Sequence, residues 1–574
     1  MCGGAQITWL CVAALGLGVC GRAADAPKPA APKLDQLYPM VVAAGAATPV
    51  AAAGKFTPWP PRVWSDTGGI VFHAEEKAGR FRIEVGADVP PGPHLIRAYN
   101  EQGASAPRFV IVAPTADGAE TEPNDDYAKA PAIDSLPATI GGRLDKAGDV
   151  DSFAVKLEAG QTLIAALDAY VLASPVDAVL RLVDQRGREL ALNHDNGRNL
   201  DPLLAWTAQA AGTYVVQVFG FAHPATADVT FTGSDACVYR LRLSRGPWAR
   251  HTLPLGAQRG HVGTVRVFGW NLGVNEGKEI AVDPASAPAD ARQMPWRDAA
   301  FENALDLPLG DGPELVTPGL DPARGEWTTR AAPFAVTGQI AKAGARGDFT
   351  FTAEKGERLV LEVQSAALGF PLDAWLAVQD AAGKELARND DGATADPLLE
   401  WTAPAAGTFR AVVGSVLHRG SPDYLYRLTV RPARASLRAV IAPSSIVVVP
   451  GKSEKLKITL MRQEGFKAKL TATVAGLPEG ITATPGEAGE TAKEAELELK
   501  AAADAPPFSG TIRFQITESD SGVVHPVTHD LTSTTTDNGV PQGFRDLLIR
   551  STEHVWLTVL PPAKEKASEA KTEN

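Results

Sequence analysis

Apolar residues along this chain recur mostly at every second position. In "YRLRL" (239–243), Tyr239, Leu241 and Leu243 alternate with Arg240 and Arg242, and "YRLTV" (426–430) repeats the scheme. A period of two sends successive side chains to opposite faces of a strand, one set into a core and the other into water. The runs are short and end in turn chemistry. Asp184-Gln-Arg-Gly187 and Asp380-Ala-Ala-Gly383 put Asp first and Gly last, as a type I turn prefers. "AAGTY" (210–214) and "AAGTF" (405–409) each turn into a further strand. No segment keeps helical spacing for three turns. The pattern predicts an all-β protein of tandem antiparallel β-sandwich domains, jelly-roll-like or immunoglobulin-like.

The same pattern is written twice. Residues 177–195 align without a gap on 373–391 with ten identities in nineteen, and after a one-residue slip 201–214 align on 396–409 with eleven in fourteen. A repeat of about 100 residues is a duplicated domain and not a solenoid of short units. The copies span 115–247 and 333–432. Around them lie a strand-rich segment at 35–114, a loop-rich β segment at 251–332, and a third β-sandwich of immunoglobulin type at 436–562. A polar tail, 563–574, lacks the apolar content to fold.

Composition narrows the class. The chain has 574 residues, 45% apolar and 21% charged, with 54 Gly and 44 Pro, which suits several globular domains rich in turns. A net charge of −12 without long basic runs argues against nucleic acid as a partner. Residues 7–20, "ITWLCVAALGLGVC", are too short an apolar run to span a bilayer. With the small residues of "AADA" (23–26) they predict a signal peptide over 1–26. Leu17-Gly18-Val19-Cys20 is similar to a lipobox, but Val19 stands where a small residue belongs, so lipid anchoring at Cys20 is the lesser alternative. No other segment is apolar enough to cross a membrane. The body is therefore expected to be secreted, periplasmic or held at the cell surface. Cys237 is the one cysteine outside the first twenty residues, which excludes an intrachain disulfide framework.

"ETEPNDD" (120–126), "GDVDSF" (148–153), "SPVDAVLRLVD" (174–184), "DPLLAWTAQAAGTY" and the closing "YRLRL" resemble the bacterial pre-peptidase C-terminal domain, a module related to bacterial collagen-binding modules. The resemblance covers both copies, and 35–114 is more weakly similar to a TIG immunoglobulin-type domain. It implies a β-sandwich, an association with secreted peptidases, and a calcium ion. In the collagen-binding relatives a Glu/Glu/Asn/Asp run before the first strand binds Ca²⁺ and orders that linker. The matching residues are Glu120, Glu122, Asn124 and Asp125. Clustered carboxylates supply the hard oxygens that Ca²⁺ takes; the same residues also suit a solvated acidic turn. The second copy keeps a glutamate, Glu314, but loses the cluster, and "GDVDSF" becomes "GARGDF", without counterparts of Asp149 and Asp151. Calcium is expected in copy one only.

A second acidic stretch, Asn193, Asp195, Asn199 and Asp201, recurs as Asn389, Asp391 and Asp396, one residue shorter. A metal site tolerates such a slip poorly, whereas Asn and Asp build turns by bonding nearby backbone amides. A turn role is favoured, with Trp206 and Trp401 anchoring the two cores. The sequence shows no GxSxG, HExxH or P-loop. His525 and His529 are a weak metal pair. Asp149/Asp151 and Asp390/Asp391 read as solvated carboxylates on exposed turns rather than an acid–base pair. Cys237 reads as a small buried residue. The chain is expected to be non-catalytic, binding an extracellular protein fibre or polysaccharide through exposed aromatics; Trp375 and Tyr170 are candidates, and Trp375, lying in a strand, suits a core position equally well. The alternative is an accessory to a separately encoded secreted peptidase or other hydrolase.

Overall fold

The computed structural model describes residues 29–561, apart from 222–228, 289–290, 323–326, 392–393 and 534–546. The leader read at 1–26 and the tail at 563–574 lie outside the described residues. Strands dominate these residues, and helical structure among them is confined to single 3₁₀ turns such as Tyr170–Leu172 and Ala366–Leu368. The all-β expectation holds.

The first module packs Lys33–Tyr38, Ala47–Lys55, Arg80–Val85 and Ile70–Ala74 against a second sheet of Val41–Ala43, Arg108–Ala113, Gly92–Asn100 and Arg62–Ser65. Leu34, Val42, Phe81, Ile83, Ile96 and Val110 fill the space between them. Gly92–Asn100 and Arg108–Ala113 are buried on both faces, Ile96 and Val110 turned to this core and Leu95 and Phe109 to the other side, as the pleat dictates.

The two copies share one topology. In copy one, Ala138–Arg143, Val238–Ser244, Thr162–Asp168 and Leu203–Thr207 form one sheet, with Gly118–Ala119 parallel at its edge. Asp151–Leu157, Gly212–Gly220, Ala178–Asp184 and Glu189–Asn193 form the other. In copy two the first sheet is Phe334–Gln339, Leu425–Pro432, Arg358–Gln364 and Leu398–Thr402, edged by Glu314–Val316. The second is Gly347–Ala353, Gly407–Ser415, Ala374–Asp380 and Glu385–Asn389, edged by Arg330–Ala331. The edge strands 314–316 and 330–331 therefore belong structurally to copy two, although they fall before the boundary read at 332. They carry too few residues to show a period of two.

Between the copies, Trp248–Leu253, Gly263–Trp270 and Glu279–Val282 face a small sheet of Ala257–Gln258, Leu305–Gly310 and Gln293–Trp296. Val265, Val267, Trp296 and Leu307 form its core. Among the described residues, strands from Ser436 to Val559 are linked into one eleven-stranded set folded around a core that includes Ile458, Leu470, Leu499, Phe514 and Val555.

The last module returns to the first. Trp64 meets His554 and Trp556 edge-on, and Arg97 donates to the His554 carbonyl at 3.1 Å. Tyr170 of copy one donates to the Ser533 carbonyl at 3.0 Å. Met40, Leu95, Phe109, Leu172, Val238 and Leu531 meet where three modules join.

Candidate metal centre

The Glu120–Asp126 stretch runs into copy one beside the start of strand 151–157. Two local features aim acids at one point. In that strand Asp151 precedes Phe153 and Val155 by two and four residues, so the pleat turns it inward with them. The turn "DKAGD" (145–149), with Gly148 at φ +90°, brings Asp149 back so that the Asp145 N–H donates to its Oδ2 at 2.6 Å. From the opposite sheet Tyr239 also points inward. Its hydroxyl lies 2.6 Å from Asp151 Oδ2 and 2.9 Å from Glu120 Oε2. Glu120 Oε1 accepts from the Arg143 N–H at 2.7 Å and from the Tyr38 hydroxyl of the first module at 3.3 Å. Gly142 makes this approach possible, because a Cβ there would meet Tyr239 Cζ at 2.1 Å and Glu120 Oε2 at 2.6 Å.

All four residues expected to bind calcium are at this point. Carboxylate oxygens of Glu120, Glu122 and Asp151 lie within 4.8 Å of one another, and so do those of Glu122, Asp125 and Asp149. The two triads share Glu122. Asn124 is buried, and with its amide nitrogen facing the carboxylates it donates to Asp151 Oδ1 at 2.8 Å and to Glu122 Oε1 at 3.3 Å. Turned over, it adds one more oxygen to the set.

Asp149 and Asp151 correct the sequence reading. They do not sit on an exposed turn; both are 0% exposed. The signal was present in "DSF": an acid two residues before a core phenylalanine on the same strand shares its inward face. Burial pushes the Asp151 and Glu120 carboxyls up, and for Asp151 the neighbouring Glu120 charge adds to the effect. Asp149 is raised to about 6, again chiefly by burial. Against these acids stands Lys146, whose Nζ lies 3.3 Å from Asp149 Oδ1 and 3.6 Å from Asp125 Oδ2, on the solvent side. So much negative charge away from water needs protons or a cation. The donors are all oxygens, mostly carboxylate, a set that fits Ca²⁺ better than a metal favouring nitrogen or sulfur.

Copy two has a different filling. Ala345 and Gly347 stand where Asp149 and Asp151 stand in copy one. Trp327 packs on Phe334 and Phe349 there, with ring centroids 5.3 and 5.1 Å apart. A Cβ on Gly347 would meet the Tyr426 hydroxyl at 1.9 Å, so the place of Asp151 is closed to any side chain. Glu314 is not a remnant of the acidic cluster. It pairs with Arg427, at 3.1 Å from Nε to Oε2, as Asp117 pairs with Arg240 at 2.6 Å from Nε to Oδ2 in copy one.

The second acidic stretch is a turn in both copies. Asp201 accepts the N–H groups of Ala169, Tyr170 and Val171, and Asp396 accepts those of Ser365, Ala366 and Ala367. Asn193 and Asn389 accept from the N–H of Leu203 and Leu398. Asn196 accepts from the Arg198 and Asn199 N–H groups, and Asn199 from that of Asp201. Trp401 lies in the copy-two core and Trp206 packs against that of copy one. Tyr170 and Trp375 are not exposed contact residues: they are 1% and 4% exposed, Trp375 lying beneath the guanidinium of Arg388. His525 and His529 take separate partners, Glu518 and the Ile441 carbonyl. Cys237 is free and buried. Asp390 and Asp391 are exposed.

No family model matches the chain. A stretch of 68 residues, 12% of this chain, is 38% identical to part of a probable subtilase-type serine protease of Deinococcus radiodurans. The match spans 9% of that protease's length. Among the described residues no helix is long and apolar enough to cross a membrane.

Proposed function

We propose that this chain is a non-catalytic protein exported from the cell, that Ca²⁺ braces its first duplicated module, and that it serves as an accessory to a secreted peptidase. The observation that carries the calcium reading is the convergence of Glu120, Glu122, Asp125, Asp149 and Asp151, two of them fully buried, around shared space. Glu120, Glu122, Asn124, Asp125, Asp149 and Asp151 would hold the ion. It would supply the positive charge that their burial calls for, tying the linker to the first strand of the sandwich. Millimolar calcium outside cells matches the weak sites typical of extracellular modules.

The peptidase reading rests on the short likeness to a subtilase-type protease and on the resemblance of both copies to a pre-peptidase module. The acids point at one another and at two tyrosines, an arrangement suited to a structural joint. Adhesion to a protein fibre or polysaccharide has less support, since both aromatics named for it are buried.

Calorimetry of the mature protein tests the metal reading. A cation that binds only the folded state at a hundred times its Kd adds about 2.7 kcal/mol. Saturating CaCl₂ is expected to raise the melting temperature of the wild type, EDTA to reverse the rise, and Asp151→Asn to abolish it. An unchanged melting temperature across all three sinks the calcium site. Retention of PMSF-sensitive proteolysis from a culture supernatant on the immobilised protein tests the peptidase association.

A further inference from the structure

Glu120 belongs to two structures at once. One face of its carboxylate lies in the acidic cluster of copy one, bonded by Tyr239 and adjoining Asp151. Its other oxygen faces the first module, where it receives the hydroxyl of Tyr38, the last residue of strand Lys33–Tyr38. Tyr38 also reaches the Gly141 carbonyl at 3.4 Å, and its ring lies beneath the Arg143 guanidinium, 5.0 Å from its centroid. Behind these groups a cavity of about 70 Å³ is lined from both modules, by Tyr38, Met40 and Ile111 on one side and Leu172, Val238 and Tyr239 on the other. The junction is thus incompletely packed at its centre, and a polar contact to an acid closes its rim.

We propose that the acidic site is a cation-operated latch, and that filling it fixes the first module against copy one through Glu120 and Tyr38. The inference rests on the calcium reading given above and adds a regulatory consequence to it. Without a cation nothing bridges all three of Glu120, Glu122 and Asp151, and the exposed linker carrying Glu122 and Asp125 offers the easiest release. Withdrawal of Glu120 then removes the acceptor for Tyr38. A cation bound among the carboxylates holds Glu120 in place, keeping its oxygens available to Tyr38, Tyr239 and the Arg143 amide. Coupling of this kind is reciprocal: if the cation favours docking, docking must favour the cation by the same factor.

Hydrogen exchange on the full mature chain, with CaCl₂ or EDTA, reads the latch directly. Calcium is expected to slow exchange about fivefold or more in 33–43 and 108–119, a coupling of ordinary size. In Tyr38→Phe that added protection is expected to vanish while the calcium-induced rise in melting temperature persists and the calcium Kd weakens several-fold. If calcium raises the melting temperature but leaves exchange in 33–43 and 108–119 unchanged, or if Tyr38→Phe keeps the full protection, the latch is wrong and the metal site stands. If calcium changes neither quantity, both fall together.

Discussion

The two copies of the repeated module differ most at one spot, where the linker meets the first strand of the second sheet. Copy one fills it with buried acids, Asp149 and Asp151, facing Tyr239. Copy two fills it with Ala345, Gly347 and the ring of Trp327 against Phe349. The shared scaffold, including Tyr239 and Tyr426, the glycines Gly142 and Gly338, and the Arg–acid pair at the sheet edge, is indifferent to which filling is used. An apolar filling is complete in itself, because burial of ring and methyl surface stabilises it without a partner. An acidic filling is incomplete, because charge removed from water must be neutralised. The duplication therefore separates a self-sufficient joint from one whose stability depends on solution conditions.

The sharpest test of the shared scaffold lies at the sheet edge. Arg427 and Glu314 have side chains 2% and 5% exposed, whereas Arg240 is 27% exposed beside Asp117. Removing one partner of a buried pair strands the other, so Glu314→Ala is expected to cost about 3–5 kcal/mol. Asp117→Ala leaves Arg240 within reach of water and is expected to cost about 1 kcal/mol. Denaturant midpoints of the two variants measure the difference. Equal losses would mean that the difference in exposure between the two pairs does not set their cost.

Acidity separates the fillings next. The buried carboxyls of copy one have folded pKa values raised above those of the unfolded chain, Asp149 to about 6 and Glu120 and Asp151 also upward. A raised carboxyl binds more protons when folded, so the stability it contributes is full below about pH 4, near the unfolded value, and fades as pH rises through the folded value. In EDTA the melting temperature is therefore expected to fall between pH 5 and 8 partly because of copy one, and Asp149→Asn with Asp151→Asn is expected to flatten that slope. Saturating calcium should flatten it too, since a bound cation favours the ionised form. A slope unchanged by the double variant would remove these groups as its source.

Much of this architecture was legible in the sequence. The period of two, the Asp-x-x-Gly turns and the duplicated blocks carry the all-β fold because a pleated strand must write its burial pattern into alternate residues. The acidic run from Glu120 to Asp125 was legible only through a family resemblance. Asp149 and Asp151 were misread because neighbouring carboxylates usually stay in water; the count from Phe153, which sets the face, outweighs that tendency. The role of Glu314 was hidden for another reason. Its partner Arg427 lies 113 residues away and is brought to it only by the parallel edge strand. Tyr170, in a 3₁₀ turn, and Trp375, in a strand, illustrate the same limit, since an inward or covered aromatic and an exposed one are written with the same letter.

The smallest expected effect tests whether the copies are alike where they should be. Asn193 and Asn389 each accept one backbone N–H, from Leu203 at 3.0 Å and Leu398 at 3.2 Å, and both pin the loop that leads into the next strand. Alanine at either position frees one amide at a partly open site. Each change is expected to cost about 0.5–1.5 kcal/mol, the ordinary net value of such a bond. The two losses should match within that range, and neither should depend on calcium, because these side chains serve the turn and lie outside the acidic centre. A loss confined to Asn193→Ala and restored by calcium would instead place the 193–201 loop in a second cation site, and the comparison of the two copies would have to be drawn at a different joint.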